Sequence, residues 1–226
     1  MSEIKLKTIA RIQNDYTEKF GIPRQSGLIN SLTSKIVFEP EYRVREAFRG
    51  LEGYSHIWLI WQFSEAAREG WSPTVRPPKL GGNKRMGVFA TRSPFRPNPI
   101  AMSAVRLEKI DFDCPNSPIL TVSGADLMNG TPILDIKPYL PYADAYPDAK
   151  SGFALQEKEG RLKVEFPEEL LKKIPAEKRQ GLTDILSQDP RPAYKEDSDR
   201  EYTMAFGEFQ VSFKAGQGTI KVTKIE

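Results

Sequence analysis

The most informative stretch of this 226-residue chain is an arginine- and proline-rich segment, residues 91–100. Its three prolines exclude a helix and a paired central strand, because proline lacks an amide hydrogen and has a fixed φ. The segment is therefore predicted to be a stiff loop from which Arg92, Arg96 and Asn98 project. Since preorganised loops bind ligands at a low entropic cost, we interpret it as a ligand-binding loop rather than a purely structural one.

Two shorter polar segments could also contact a ligand. The Pro23-Arg24-Gln25 motif places a guanidinium and a carboxamide on a proline-stiffened loop, with an ordinary polar loop as the alternative. His56 is the sole histidine and begins an apolar segment. Its neutral imidazole can both donate and accept a hydrogen bond, which suits a nucleobase edge or a carboxylate. The alternative is a histidine that merely satisfies its hydrogen bonds in the core.

A further segment that could contact a ligand, residues 124–139, contains two aspartates and a turn signal. Asp126 precedes Asn129-Gly130, a strong turn signal. Asp135 and Lys137 are two positions apart, so they share a face of an extended segment. Each residue has a purely structural alternative, since Asp126 could cap the turn and Asp135 could pair with Lys137. Sequence spacing alone does not choose between structure and function here.

Charge is distributed unevenly, although the net charge is only +3. Residues 1–145 contain 19 Lys/Arg and 15 Asp/Glu, whereas residues 146–226 contain 14 and 15. The densest basic block is Arg68, Arg76, Lys79, Lys84, Arg85, Arg92 and Arg96, with Glu69 as its only acid. Such a block can bind a polyanion by neutralising phosphates; a solvated basic loop is the alternative.

Several classes of protein are excluded by what the sequence lacks. Cys114 is the only cysteine, so no internal disulfide forms, a reducing compartment fits, and no ordinary zinc site can be built with a single histidine. No apolar run of 18 residues is present, and the first ten residues lack the apolar block of a signal peptide. We therefore expect a cytoplasmic protein without a bound metal. No Gly-x-Gly-x-x-Gly motif follows a first strand, which argues against a doubly wound nucleotide fold.

The chain is predicted to be mainly β, with a small closed antiparallel barrel followed by a small α+β region. Short segments rich in Ile, Val, Phe and Trp predict strands at residues 4–11, 35–38, 55–63, 85–89, 101–110, 119–123 and 134–138, and residues 43–50 have helical spacing. The composition changes after residue 146, so we place a catalytic domain at 1–146 and a C-terminal domain at 147–226. The latter is predicted to contain helices at 167–174 and 178–187 and strands at 162–166, 202–206, 209–213 and 219–225.

These motifs together resemble the TsaA-like (TrmO/YaeB) family of tRNA methyltransferases. The resemblance lies in residues 23–25, 50–56, 85–94, 96–100 and 130–139, and it extends into the tail through Ala193 and Tyr194. It implies a non-Rossmann β-barrel that binds S-adenosylmethionine, a homodimer with the cofactor near the subunit interface, and methylation of N6 of threonylcarbamoyladenosine at tRNA position 37.

The resemblance also implies which residues form the site. The cofactor-binding residues it indicates are Pro23, Arg24, Gln25, His56, Ile57, Arg92, Met102, Asp126, Leu127, Met128 and Asn129. Asn129 departs from the aspartate usual in similar sequences, which keeps an acceptor oxygen but removes a charge.

Methyl transfer to a urea-like nitrogen benefits from a group that takes up its proton, and the candidates are Asp126, Asp135 and Tyr139. The residues expected to bind the substrate or tRNA are Arg76, Lys84, Arg85, Arg96, Asn98 and Lys137. Trp71 or Phe95 could stack on unpaired bases of the anticodon loop. Two other functions stay open: a non-catalytic module that binds S-adenosylmethionine or RNA, and a methyltransferase acting on another small acceptor.

Overall fold

A computed structural model of the chain describes residues 4–65, 70–77, 80, 83–154, 161–191 and 200–226. The strands of its N-terminal part are β1 (Ala10–Gln13), β2 (Thr33–Phe38), β3 (His56–Gln62), β4 (Thr74–Val75), β5 (Met86–Gly87), β6 (Ile100–Asp111), β7 (Ile119–Ser123) and β8 (Pro132–Pro138). All of them except β4 and β5 close into a barrel in the order β1-β2-β7-β6-β3-β8. Every neighbouring pair is antiparallel, which confirms the predicted fold class.

The barrel forms because side chains alternate between its interior and its outer face. Along β3, Ile57, Leu59 and Trp61 are buried, whereas Trp58 and Ile60 point outward. The buried side chains of the other strands complete this core, among them Ile12, Ile36, Val105, Leu120 and Ile133. The outer faces of β3, β6 and β8 are thereby left free to form a ligand site.

Connections within the N-terminal part are short. They include 3-10 helices at Pro40–Tyr42, Arg45–Phe48, Leu51–Gly53 and Val88–Ala90, and β4 pairs with β5 as a two-stranded ribbon. The first predicted strand is wrong for residues 4–9, since β1 begins at Ala10. The helix predicted at residues 43–50 is a 3-10 turn in which only Phe48 is buried.

The C-terminal part is a four-stranded sheet against which helices pack. Its strands are β9 (Lys163–Glu165), β10 (Glu201–Phe206), β11 (Phe209–Gly216) and β12 (Thr219–Ile225), in the order β10-β11-β12-β9. The helices are α1 (Pro141–Asp144), which follows the barrel, α2 (Glu168–Leu171) and α3 (Ala176–Ser187), with a 3-10 helix at Gly152–Ala154. None of the helices described is long and apolar enough to cross a membrane.

The core of this C-terminal sheet includes residues from the segment between β1 and β2. Tyr16, Ile29 and Leu32 pack against Ile174, Phe213 and their neighbours. The segment also contacts the barrel part of the chain. Asn14 donates its side-chain amide to the Leu127 carbonyl oxygen at 2.9 Å, and the Gly27 backbone amide donates to the Gly124 carbonyl oxygen at 2.8 Å. The segment therefore bridges the two cores and presents the Pro23-Arg24-Gln25 motif between them.

Candidate active site

A cavity of about 810 Å³ opens on the outer face of the barrel, beside β3 and β6. Its apolar wall includes Trp58, Ile60, Phe63, Ile100 and Met102. Strand alternation explains this wall, because Trp58 and Ile60 share the outward face of β3 and Met102 is paired with Ile60 across the ladder. A surface of this kind can accommodate a flat ring and exclude water from it.

Cationic groups reach the cavity from two loops. Arg92 donates from Nη1 to Oε1 of Gln25, so the two loops predicted from the sequence meet at the cavity. Arg24 also lines the cavity and donates from Nη2 to the carbonyl oxygens of Asp189 and Arg191, at 3.3 and 3.4 Å. A guanidinium positioned in this way can pair with a ligand carboxylate.

The proline-rich loop is fixed by its own hydrogen bonds. Arg96 donates from Nη1 to the Thr91 carbonyl oxygen at 2.7 Å and to the Val88 carbonyl oxygen at 3.4 Å. The Thr91 hydroxyl donates to the Val88 carbonyl oxygen at 2.8 Å and accepts from the Ser93 amide at 3.2 Å. Arg96 therefore acts on the loop's shape as well as lining the cavity, a role the sequence did not indicate.

Asp126 is the one carboxylate of residues 124–139 that lines this cavity, and two successive hydrogen bonds connect it to Trp61. Trp61 donates its indole N–H to the Ser103 hydroxyl at 2.9 Å, and Ser103 donates to Oδ1 of Asp126 at 2.5 Å. Burial raises the pKa of Asp126 above its ordinary value, while the Ser103 hydrogen bond and the nearby Arg92 charge oppose that rise. Asp126 is therefore both a negative charge for a cationic ligand and a stronger base than a surface aspartate.

Sequence reasoning missed two further acidic residues that line the cavity, Glu65 and Asp144. Oδ2 of Asp144 accepts the Trp58 indole N–H and the Leu140 amide, both at 2.9 Å. These two donors hold the pKa of Asp144 below its ordinary value. The only sequence signal was Pro141, which favours the first turn of a helix and so predicts the short α1 that carries Asp144.

The predicted cofactor residues divide into two groups. Those that line the cavity are Pro23, Arg24, Gln25, Arg92, Met102, Asp126 and Met128. His56, Ile57, Leu127 and Asn129 are not among the cavity's lining residues. The side chains of both Ile57 and Leu127 lie in the barrel core. Ile57 is on the inward face of β3, and Leu127 lies in the connection between β7 and β8.

His56 and Asn129 have other contacts. His56 is exposed and lies with its ring 6.2 Å from that of Tyr139, while its Nδ1 is 3.0 Å from the Ser55 hydroxyl. Asn129 accepts the Asn14 amide on Oδ1 at 3.1 Å and donates its own amide to the Tyr16 carbonyl oxygen. An aspartate oxygen could accept the same hydrogen bond, so the departure from aspartate leaves this contact possible.

The other two proton-acceptor candidates lie outside the cavity's lining. Asp135 pairs with Lys137 at 2.9 Å, the alternative that the spacing left open, and Lys137 itself lines the cavity. Tyr139 packs its ring 5.4 Å from that of Trp58, which forms the cavity wall. Of the three candidates, only Asp126 faces the cavity directly.

Most residues predicted to bind tRNA lie on the loops around the cavity or beyond it. Arg76, Lys84, Arg85 and Asn98 are exposed, and Arg85 donates from Nη1 to the Thr74 hydroxyl at 3.1 Å. Arg68 and Lys79 of the basic block, and Ala193 and Tyr194 of the tail, lie outside the described residues. Within the described part of the chain, no group of three or more His, Cys, Asp and Glu could hold a metal ion.

Comparison with known proteins places this geometry in context. Sequence models of the tRNA-methyltransferase O N-terminal domain and of the TrmO C-terminal domain match residues 11–145 and 159–226. The chain is 41% identical to the tRNA (adenine(37)-N6)-methyltransferase of Escherichia coli K12, over 100% of this chain and 99% of that protein.

A second sequence relative and a crystal structure are also similar to this chain. A putative S-adenosylmethionine-dependent methyltransferase, RcsF, of Pseudomonas aeruginosa is 41% identical over 90% of this chain and 89% of that protein. The crystal structure of TrmO from Pseudomonas aeruginosa superposes with a TM-score of 0.80 at 32% identity, covering 100% of this chain and 99% of that one.

Proposed function

Because the chain belongs to the tRNA-methyltransferase O family, we propose that it transfers a methyl group from S-adenosylmethionine to N6 of the adenosine at position 37 of tRNA. One observation carries this proposal: the full-length identity of 41% to an enzyme named for that reaction. Because the proposed substrate is tRNA, we also propose that the protein is located in the cytoplasm. The more specific acceptor is an adenosine that already bears a threonylcarbamoyl group at N6.

The cavity's chemistry fits S-adenosylmethionine. This molecule combines a flat adenine, a sulfonium cation and an amino-acid end, and the cavity combines aromatic walls, a buried carboxylate and guanidinium groups. When bound, it supplies an electrophilic methyl group. Trp58 and Met102 offer apolar surface for the ring, Asp126 offers a charge that complements a cation, and Arg92 and Arg24 complement a carboxylate.

Asp126 is our choice for the proton acceptor. A urea-like N–H is a poor nucleophile until its proton is shared with a base. Burial makes the Asp126 carboxylate more basic, and Ser103 fixes its orientation through the hydrogen bond to Oδ1. Methyl transfer is an in-line displacement, so the chief contribution of the stiff loop bearing Arg92 is alignment of donor and acceptor.

The homodimer is also part of the proposal. Ile100 and Met102 line the cavity yet stay 38% and 52% exposed, and a second copy of the chain would cover this apolar edge. Contiguous exposed apolar surface beside a site is typical of an interaction surface. Sedimentation equilibrium should give twice the monomer mass.

A methyl-transfer assay tests the function. The protein is incubated with methyl-labelled S-adenosylmethionine and with tRNA that carries or lacks threonylcarbamoyl at position 37, followed by nucleoside mass analysis. Label in the modified adenosine of the first tRNA alone supports the full proposal. Arg92→Ala should abolish transfer, whereas the matched control Arg106→Ala removes an arginine that pairs with Glu108 away from the cavity and should keep it.

Two outcomes of this assay would contradict the proposal in different ways. Binding of S-adenosylmethionine without any transfer would favour the non-catalytic module. Transfer to a small acceptor, with no labelled tRNA, would retain the methyltransferase and exclude the tRNA substrate.

A further inference from the structure

Two large aromatic side chains lie stacked on the surface of the basic region. The Trp71 and Phe89 rings have centroids 6.2 Å apart and an angle of 24° between their planes. Trp71 is 51% exposed and Phe89 is 71% exposed. Aromatic side chains of this size are usually covered in a folded protein, because their burial is strongly favourable. A stacked, exposed pair therefore calls for a partner with flat apolar faces.

The backbone that carries both rings is held in place. The Ser72 amide, next to Trp71, donates to the Phe95 carbonyl oxygen at 3.3 Å. The amide of Val88, which precedes Phe89, donates to the Pro73 carbonyl oxygen at 3.0 Å, and the Val88 side chain is buried. The two rings thus stand on a preorganised support, so ordering them costs little when a partner binds.

The positive charge near Trp71 and Phe89 indicates which kind of partner the two rings could bind. From residue 70 to residue 107 the sequence contains seven Lys/Arg and no Asp or Glu. Exposed cations of this stretch in the described structure include Arg76, Lys84 and Arg85. Stacked aromatic rings in a stretch of sequence that contains cations and no acids suit single-stranded nucleic acid, whose bases stack while its phosphates pair with the cations.

The pair is linked to the cavity through one arginine. Arg96 lines the cavity, and its guanidinium carbon lies 5.9 Å from the centre of the Phe89 ring. We propose that Trp71 and Phe89 form a stacking platform for an unpaired anticodon-loop base next to the nucleotide that enters the cavity. This inference rests on the proposed function and adds the position of the RNA to it.

Steady-state kinetics and RNA binding test the platform. In the double variant Trp71→Ala/Phe89→Ala, the KM for tRNA should rise about 10- to 100-fold, the loss of stacking expected for one base. The Kd for S-adenosylmethionine and kcat at saturating tRNA should stay within about 2-fold. The conservative variant Trp71→Phe should recover most of the tRNA affinity, which a merely misfolded loop would not do.

Salt dependence separates stacking from phosphate contacts. The slope of log Kd against log salt should be unchanged in the aromatic double variant, but should fall in magnitude by about 0.7 in Arg85→Ala. The matched control is Tyr146→Ala, which removes an aromatic ring 74% exposed outside the basic stretch and should change neither KM nor slope.

Each adverse result has its own meaning. If the wild-type chain fails to methylate tRNA, the proposed function falls. If the wild type methylates and the double variant keeps the wild-type KM for tRNA, the platform alone is refuted. If the double variant instead sediments as a monomer where the wild type is a dimer, the rings bind a second copy of this chain, and the RNA platform is again refuted.

Discussion

Replacing Ser103 by alanine should disturb the site more than the loss of one hydroxyl suggests. Ser103 is buried and joins two partners, since it accepts from the Trp61 indole at 2.9 Å and donates to Asp126 Oδ1 at 2.5 Å. The variant removes the donor to the carboxylate and leaves a buried indole N–H without its acceptor. Both losses act on the wall of the cavity.

The magnitude follows from these two contacts. A hydrogen bond to a charged group contributes about 1.5–3 kcal/mol, and a buried unsatisfied donor costs about 1–3 kcal/mol. Partial protonation of Asp126 offsets some of this, so we expect the free energy of unfolding to fall by about 3 kcal/mol. For a chain of this size, about 2–4 °C per kcal/mol corresponds to a melting temperature lower by about 6–12 °C.

Thermal unfolding and calorimetric binding provide the assay. The control is the double variant Trp61→Phe/Ser103→Ala, in which no indole N–H is left unsatisfied. Its loss of stability should be smaller than the sum of the single losses by about 1–3 kcal/mol. Ser103→Ala should also move the pH dependence of S-adenosylmethionine binding to higher pH, because the lost hydrogen bond lowers the pKa of Asp126 in the wild type. Additive losses, or a melting temperature within 2 °C of wild type, would refute this reasoning.

Three further changes test other parts of the structure. Burial raises the pKa of Asp126, so the stability that this residue contributes is complete below the ordinary aspartate pKa and is lost as the pH rises through the raised pKa. Asp126→Asn should therefore unfold at a higher temperature than wild type at pH 8, and this difference should vanish at acidic pH. The same variant should bind S-adenosylmethionine about 10-fold or more weakly. Gly181→Ala should lower the free energy of unfolding, measured by urea titration, by about 1–2 kcal/mol. The new Cβ would lie 2.1 Å from Leu32 Cγ, and the cost of this overpacking exceeds the gain in helix propensity. A variant more stable than wild type would contradict this packing. Arg24→Ala should weaken S-adenosylmethionine binding about 5-fold by calorimetry, because Arg24 lines the cavity, and should change the melting temperature by less than about 2 °C. An unchanged affinity would exclude pairing between Arg24 and the carboxylate of the cofactor.

The barrel strands were predictable because their signal is local. The β-branched and aromatic residues of 55–63 predicted β3 nearly to its ends, and the segment 119–123 coincides with β7. The first strand was placed too early, since Ile4 and Leu6 have suitable side chains but are exposed. Where β1 begins depends on its pairing with distant residues, such as Ala10 with Ile133, which no local pattern contains.

The same distinction holds for the site. The stiffness of the loop around Arg92 follows from its prolines and was predictable, but its contact with Gln25 joins residues 67 positions apart. Asp144 was missed because its partner Trp58 lies 86 positions earlier in the chain. Strand alternation places the Ile57 side chain on the inward face of β3 with Leu59, whereas the family resemblance assigned both His56 and Ile57 to the cofactor, an assignment that stays a prediction.

The segment between β1 and β2 packs in the core of the C-terminal sheet and also lines the cavity. The domain boundary at residue 146 was predicted from a change in composition and stays a prediction. Asp15 in this segment pairs with Lys178 at 2.7 Å, and Glu18 accepts the Ala205 amide at 2.7 Å. Gly21 has a φ of +95°, and a Cβ there would lie 2.7 Å from the terminal methyl carbon of Met204. Because contacts with the C-terminal part precede the Pro23-Arg24-Gln25 motif and Ile29 and Leu32 follow it into the same core, the position of Arg24 and Gln25 depends on residues far outside the barrel. The C-terminal part therefore helps to position Arg24 and Gln25, even though the residues that line the cavity in the described structure all lie between Lys19 and Asp144.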